Sequence, residues 1–194
     1  MTAVRDAVAT GFAALLFLSP ASADSVGIMT TYHDQGSVEW ERRYVDGKQH
    51  GLTRSYYPDG HLKGESPFVD GRLEGVFRTY YDSGSVESEL RYSKDALEGP
   101  GRFYYENGTL RRLVRFRRNR ESGRAVDYFE DGSVRAEWNY EDGKLEGEAI
   151  LFYLNGRIRA IAQFADGVRH GVTRYFSEDG LPAEDVRYCE GRRV

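Results

Sequence analysis

Seven arginines, Arg111, Arg112, Arg115, Arg117, Arg118, Arg120 and Arg124, crowd one stretch of the chain in which Glu121 is the sole acidic residue. The guanidinium fork matches carboxylate and phosphate oxygens, so this run, set in a protein of net charge −4, is a candidate anion-binding patch. Phosphate head groups, an acidic glycan or an acidic protein partner would suit it. The competing reading is structural. On an alternating strand Arg111, Arg115 and Arg117 share a charged face, and neighbouring strands offer Glu87, Glu89 and Glu137 for a cross-strand ladder. Exposed pairs of that kind contribute roughly 0–1 kcal/mol each, and arginines beyond the ladder would simply be solvated.

No other constellation of reactive residues stands out. The chain has no H-E-x-x-H, no G-x-S-x-G and no phosphate-binding or dinucleotide glycine loop. His50 and His170 share one repeat position that Glu74, Glu98, Ser122 and Glu146 fill elsewhere, so they read as variable turn residues, not metal ligands. Glu41, Glu65, Glu89 and Glu137 recur from unit to unit, whereas a catalytic carboxylate pair is a unique arrangement with divergent pKa values. They read as a solvated face. Cys189 is the single cysteine and therefore cannot form an internal disulfide; it is a free thiol or an intermolecular link. These observations lead to the expectation of a non-enzyme with no catalytic residue, no metal and no cofactor. The acidic balance argues against nucleic acid as a partner.

The elements that must position these residues are set by a repeat of 24 residues. Gly36, Gly60, Gly84, Gly108, Gly132, Gly156 and Gly180 keep that spacing, as do Gly27, Gly51, Gly75, Gly99, Gly123, Gly147 and Gly171. An aromatic column, Tyr44, Phe68, Tyr92, Phe116, Tyr140, Phe164 and Tyr188, shares the register. A fixed period of this length signals stacked units that bury their apolar faces only against their neighbours. The units are residues 27–50, 51–74, 75–98, 99–122, 123–146, 147–170 and 171–194. Within unit two, Leu52 to Tyr57 and Leu62 to Phe68 read as strands separated by turns at Pro58-Asp59-Gly60 and Asp70-Gly71. Alternation in Val86, Ser88, Leu90 and Tyr92 against Glu87, Glu89 and Arg91 gives one apolar and one charged face. The expected fold is all-β: an elongated single sheet of seven stacked hairpins, roughly 65 Å long, with aromatic columns such as Tyr56, Tyr80, Tyr104 and Tyr128 stacked as ladders.

Residues 1–23 differ in kind. Arg5, the apolar run from Ala7 to Leu18 and Ala21-Ser22-Ala23 have the form of a helical export signal cleaved after Ala23. The apolar run is shorter than the about 20 residues of a membrane-spanning helix, so no transmembrane segment is expected in the mature chain, residues 24–194. The expected location is periplasmic or secreted.

The pattern Tyr56, Tyr57, Gly60, Leu62, Glu65, Phe68, Gly71 and Gly75 resembles the bacterial variant of the MORN repeat, the unit of YwqK-family antitoxin-like proteins. The resemblance implies stacked β-hairpins acting as an interaction scaffold. Asp95 and Asn119 replace the second glycine in units three and four, and Leu113 replaces the usual glutamate in unit four. The resulting expectation is an exported, non-enzymatic scaffold for a protein partner, antitoxin- or immunity-like in role. The alternative is an envelope binder of anionic lipid head groups or acidic glycans through the arginine-rich fourth unit.

Overall fold

The computed structural model describes residues 14–17 and 25–194, and all regular structure in them is β-strand within one antiparallel sheet. Of the leader, where a helix is expected, the described residues Ala14–Phe17 form a strand paired with Gly27 to Thr30. The rest of the leader and the expected cleavage site lie outside the described residues.

Unit two shows how the sequence makes each repeat. An incoming strand, Gly51–Tyr56, and an outgoing strand, Leu62–Val69, pair through Arg54↔Glu65 and Ser55↔Gly64. At the loop joining them Gly60 N–H donates to Tyr57 O (2.9 Å) and Tyr57 N–H to His61 O (2.8 Å), with Gly60 at φ +91°. This is a type I turn followed by a left-handed residue, the position for which glycine is the default. At the other end Asp70 and Gly71 both have positive φ (51° and 82°), a tight two-residue turn whose twist matches that of the strands.

Beyond that turn the structure departs from seven simple hairpins. A two-residue arm, Arg72–Leu73, pairs with the end of the outgoing strand through Phe68↔Leu73, while the middle of that strand pairs with the next unit through Gly64↔Thr79 and Glu65↔Arg78. Between the two contacts the chain bulges at the second glycine column. A β-carbon on Gly75 would lie 3.1 Å from Pro67 Cγ, and one on Gly99 3.2 Å from Arg91 Cδ, so these glycines let the preceding unit's side chains pack on backbone.

Asp95 and Asn119 keep the tight turn despite lacking glycine, at φ 68° and 67°. Their side chains compensate. Asp95 Oδ1 accepts from Leu73 N–H and Asn119 Oδ1 from Leu97 N–H, each at 2.7 Å, while their own backbone N–H groups donate to the carbonyls of the same two leucines. The variable column before the second glycine has a role as well. Glu74 accepts from Lys94 N–H (2.7 Å), Glu98 from Arg118 N–H (3.0 Å) and Glu146 from Asp166 N–H (3.0 Å), so each staples the turn of the following unit. His50 stands near Asp70 N–H in the same manner.

Every hairpin carries one extra residue on its outgoing strand, near the loop. In a bulge two residues oppose one and lean to the same side. Thr79 thus bonds both Glu87 (3.0 Å) and Ser88 (2.7 Å). Simple alternation puts Glu87 with Glu89 on the charged face; the bulge places it with Ser88 on the other.

That other, core face is lined by small residues: Thr53, Ser55, Ser88, Val114, Ala125, Ala136, Ala149, Ala160, Ala162, Thr173 and Val186 are buried. The aromatic column lies back over it. Phe116 covers Gly101, Tyr92 meets Phe77 edge-on at 6.0 Å, and Phe164 meets Trp138 at 6.2 Å. The expected ladders of stacked tyrosines do not form. Equivalent residues stand two strands apart, roughly 9.6 Å, which exceeds the reach of ring contacts.

Hydroxyls join the units instead. Tyr57, Tyr81, Tyr105 and Tyr153 donate to the carbonyls of Tyr80, Tyr104, Tyr128 and Phe176 at 2.7–2.8 Å, and His33 Nε2 lies 3.0 Å from Tyr56 O. Phe129 interrupts the series. Phe129→Tyr is expected to supply the missing bond to Phe152 O and to raise stability by about 0.5–1.5 kcal/mol, read as an increase in the urea midpoint.

Candidate binding surface

The face opposite the core carries a central row of cross-strand neighbours running the length of the sheet. In order they are Glu41, Arg54, Glu65, Arg78, Glu89 and Arg102, then Leu113, Val126, Glu137, Ile150 and Ile161, then Arg174 and Asp185. The row is an alternating ion ladder that turns aliphatic in unit four. Arg54 pairs with Glu65 at 3.2 Å and Arg78 with Glu89 at 2.9 Å. A tyrosine from the following unit completes each group. Tyr56 donates to Glu41 (2.7 Å), Tyr80 to Glu65 (3.0 Å) and Tyr104 to Glu89 (3.2 Å).

These glutamates are not a freely solvated face. The side chains of Glu65 and Glu89 are 16% and 24% exposed, because arginine and tyrosine fold over them. The Arg78 hydrogen bond holds the Glu89 carboxyl below its usual range against the opposing effect of burial. Burial, then the bond to Glu41, pushes the Tyr56 hydroxyl up to about 12. The carboxylates are engaged as hydrogen-bond acceptors for arginine and tyrosine.

The arginine run divides among three environments. Arg112 lies on the core face between units, bound to Asp127 (3.1 Å), Glu121 (2.9 Å) and the Tyr140 hydroxyl (3.1 Å), with the Tyr140 ring 5.6 Å from its guanidinium. Asp127, whose side chain is 7% exposed, also accepts from Trp138 Nε1 (2.8 Å) and Arg135 (3.4 Å). Arg124 forms an ion pair with Glu137. Arg117, Arg118 and Arg120 line one open cleft of about 680 Å³ with Ser122, Tyr140, Glu141 and Asp142. Three cations and two acids share that cleft.

The expected ladder of Arg111, Arg115 and Arg117 with Glu87, Glu89 and Glu137 does not form. Glu89 is taken by Arg78, Glu137 by Arg124, and Glu87 turns to Thr79. Arg111 is the extra residue of its hairpin bulge and leaves the charged face with Arg112. Among the described residues Arg111, Arg115, Arg117, Arg118 and Arg120 have no carboxylate within 4.0 Å.

Sequence reasoning overlooked the Arg112–Asp127 centre, although Asp127 is the only acid in a column otherwise made of Thr31, Ser55, Thr79, Phe103, Leu151 and Tyr175. Asp59, His61 and Asp82 bring their polar atoms within 4.8 Å of one another where the exposed loops of units two and three meet. Asp59 there accepts from His61 N–H, a turn device repeated by Asn107 with Thr109, Asp131 with Ser133 and Asn155 with Arg157. Cys189 is an exposed free thiol. Among the described residues no helix is long and apolar enough to cross a membrane.

Comparison with known proteins agrees with this geometry. A search of curated proteins found no match to the chain. Residues 49–70, 73–94, 97–117 and 121–142 each match the MORN repeat variant. The first, second and fourth matched stretches begin at or beside a two-residue arm and the third within the continuous strand Ala96–Tyr104; each spans one incoming and one outgoing strand, and the third includes Leu113. Over those four stretches the chain is similar to MORN-variant repeats.

Proposed function

We propose that this chain is a non-enzymatic repeat scaffold whose role is to hold a protein partner on its extended sheet. The observation that supports this reading is where the units differ. The Gly60-type turn and the strand register persist along the chain and the hydroxyl bond between units recurs in four of them, while the central row of one exposed face changes from Glu41 and Arg54 to Leu113, Val126 and Ile150. A constant frame with a varied face is how solenoid-like proteins present extended binding surfaces. In this reading residues 1–23 export the protein and the partner is met in the cell envelope or outside, in an antitoxin- or immunity-like relation.

The second reading, an envelope binder of lipid head groups or acidic glycans, draws support from the exposed Arg117, Arg118 and Arg120 beside their cleft. Capture from envelope extract on the immobilised full chain separates the two. A protein retained in stoichiometric amount, and still retained after delipidation and glycosidase treatment, is the expected result. Retention of lipid or glycan alone would favour the second reading and overturn the first.

A further inference from the structure

We propose that the face around Pro100, in units three and four, binds an extended acidic segment of the protein partner, with Arg91, Arg102 and Arg115 as its carboxylate receptors. This rests on the scaffold reading above and names the surface and the chemistry that it uses.

The inference starts from the ladder. From Glu41 to Glu89 each carboxylate in the central row has an arginine on its own hairpin or a tyrosine from the next unit. Arg102 is the first cation to lose its counterpart, because its neighbour on the outgoing strand is Leu113. On its other side stands Glu89, already engaged by Arg78 and Tyr104. Arg102 is exposed and has no carboxylate within 4.0 Å among the described residues.

Two more arginines in the same condition flank it. Arg115 is the cross-strand neighbour of Pro100, and Arg91 lays its stem on the Gly99 backbone in the adjoining strand. Both are exposed, and neither has a carboxylate within that distance among the described residues. Arg91, Pro100 and Arg102 line one shallow hollow with Val76, Leu90 and the Arg78–Glu89 pair, whose charges offset each other. The exposed Pro100 lies on the strand between those of Arg91 and Arg115, and the apolar row Leu113, Val126 begins beside Arg102.

The layout selects the occupant. Arg91 and Arg115 are two strands apart, roughly 9.6 Å, and Arg102 is offset from both by two residues along the middle strand, roughly 6.8 Å. Acidic residues at alternate positions of an extended peptide repeat at roughly the same 6.8 Å and reach such a triad with side-chain carboxylates. An aliphatic residue of the same peptide covers Leu113 and Val126. A lipid surface calls for protruding cations beside an apolar group that inserts. Arg91 and Arg102 instead border a hollow in the middle of a sheet face, and Arg115 stands beside it across from Pro100.

The sheet also supplies a specific way to close the site. Leu113→Glu restores the residue found at Glu41, Glu65 and Glu89, giving Arg102 a carboxylate and the Tyr128 hydroxyl an acceptor. It should leave the fold intact and fill the receptor from within.

The probe is a fluorescent peptide of about ten residues alternating glutamate and threonine around a central leucine, with a glutamine-for-glutamate peptide as reference, titrated with the full chain. The acidic peptide is expected to bind, and to weaken about tenfold between about 0.05 and 0.3 M salt, whereas the glutamine peptide does not bind. Leu113→Glu, and separately Arg91→Gln with Arg102→Gln and Arg115→Gln, are each expected to weaken binding about tenfold or more. Arg159→Gln with Arg174→Gln and Arg187→Gln, an equal charge change elsewhere, should stay within about twofold. Thermal unfolding of each variant confirms folding, and Leu113→Glu decides alone if the triple variant unfolds.

Absence of peptide binding, or binding untouched by Leu113→Glu, overturns the proposal. So does loss of binding on replacing Arg117, Arg118 and Arg120 instead, or stronger binding to phosphatidylglycerol vesicles than to peptide. Capture of a protein partner from extract by the Leu113→Glu chain as efficiently as by wild type would sink this face while leaving the scaffold reading standing. Capture of no protein by either chain would sink both.

Discussion

Asp127→Ala is expected to destabilise the protein by about 2–3 kcal/mol. Asp127 joins two units: it accepts from Arg112 of unit four, and from Trp138 and Arg135 of its own. Removal leaves the Trp138 N–H without its acceptor and a half-buried guanidinium with only Glu121 and the Tyr140 hydroxyl. Breaking a buried pair by deleting one partner costs about 3–5 kcal/mol, and the 24% exposure of the Arg112 side chain brings this case to the bottom of that range or just below it. Asp127→Asn retains an oxygen for Trp138 and should lose about half as much. Urea unfolding followed by tryptophan fluorescence measures both. A loss below about 0.5 kcal/mol for Asp127→Ala would mean that the centre is ornamental.

Gly101→Ala is the second large effect, with an expected loss of about 1–3 kcal/mol. A β-carbon at Gly101 would come to 2.7 Å from Phe116 Cε2 and 2.9 Å from Leu90 Cδ2. The reason lies in how volume is shared along the core row. In unit three the equivalent position is Phe77, packed edge-on against Tyr92, and Leu90 lies opposite it. Gly101 follows, between Leu90 and Val114, and leaves room for the Phe116 ring. Adding Phe116→Leu to Gly101→Ala should recover part of the loss, since neighbouring sites couple. Additive losses in the double variant would show that the ring does not lie over Gly101.

The repeat made much of this fold legible beforehand. Gly60 and its equivalents mark a turn that needs a left-handed residue, and Asp70-Gly71 marks the opposite turn, so both ends of each hairpin follow from local chemistry. What alternation cannot show is the extra residue in every hairpin. Counting by twos put Glu87 and Arg111 on the charged face, and the bulge carries both to the other side. Glu65 read as solvated because its acceptor role depends on Tyr80, which is sequence-distant and arrives only with the next unit. The same limit hid Arg112 with Asp127. Asp95 and Asn119 depart from the repeat's second glycine, yet their side chains supply bonds that glycine cannot. Of the arginine run, only Arg117, Arg118 and Arg120 converge on one cleft, while Arg91 and Arg102, outside the run, share a face with Arg115.

The ion ladder, its aliphatic break and the binding face all depend on one register held through seven units. Nuclear Overhauser contacts across the strands of the full chain test that register most directly. Contacts are expected for Arg54 with Glu65, Arg78 with Glu89, Arg102 with Leu113, Val126 with Glu137, Ile150 with Ile161 and Arg174 with Asp185, and between units for Glu41 with Arg54 and Glu65 with Arg78. A shift of one residue in any unit, such as Arg54 opposite Gly64 or Ser66, would send its side chains to the wrong face and contradict the account.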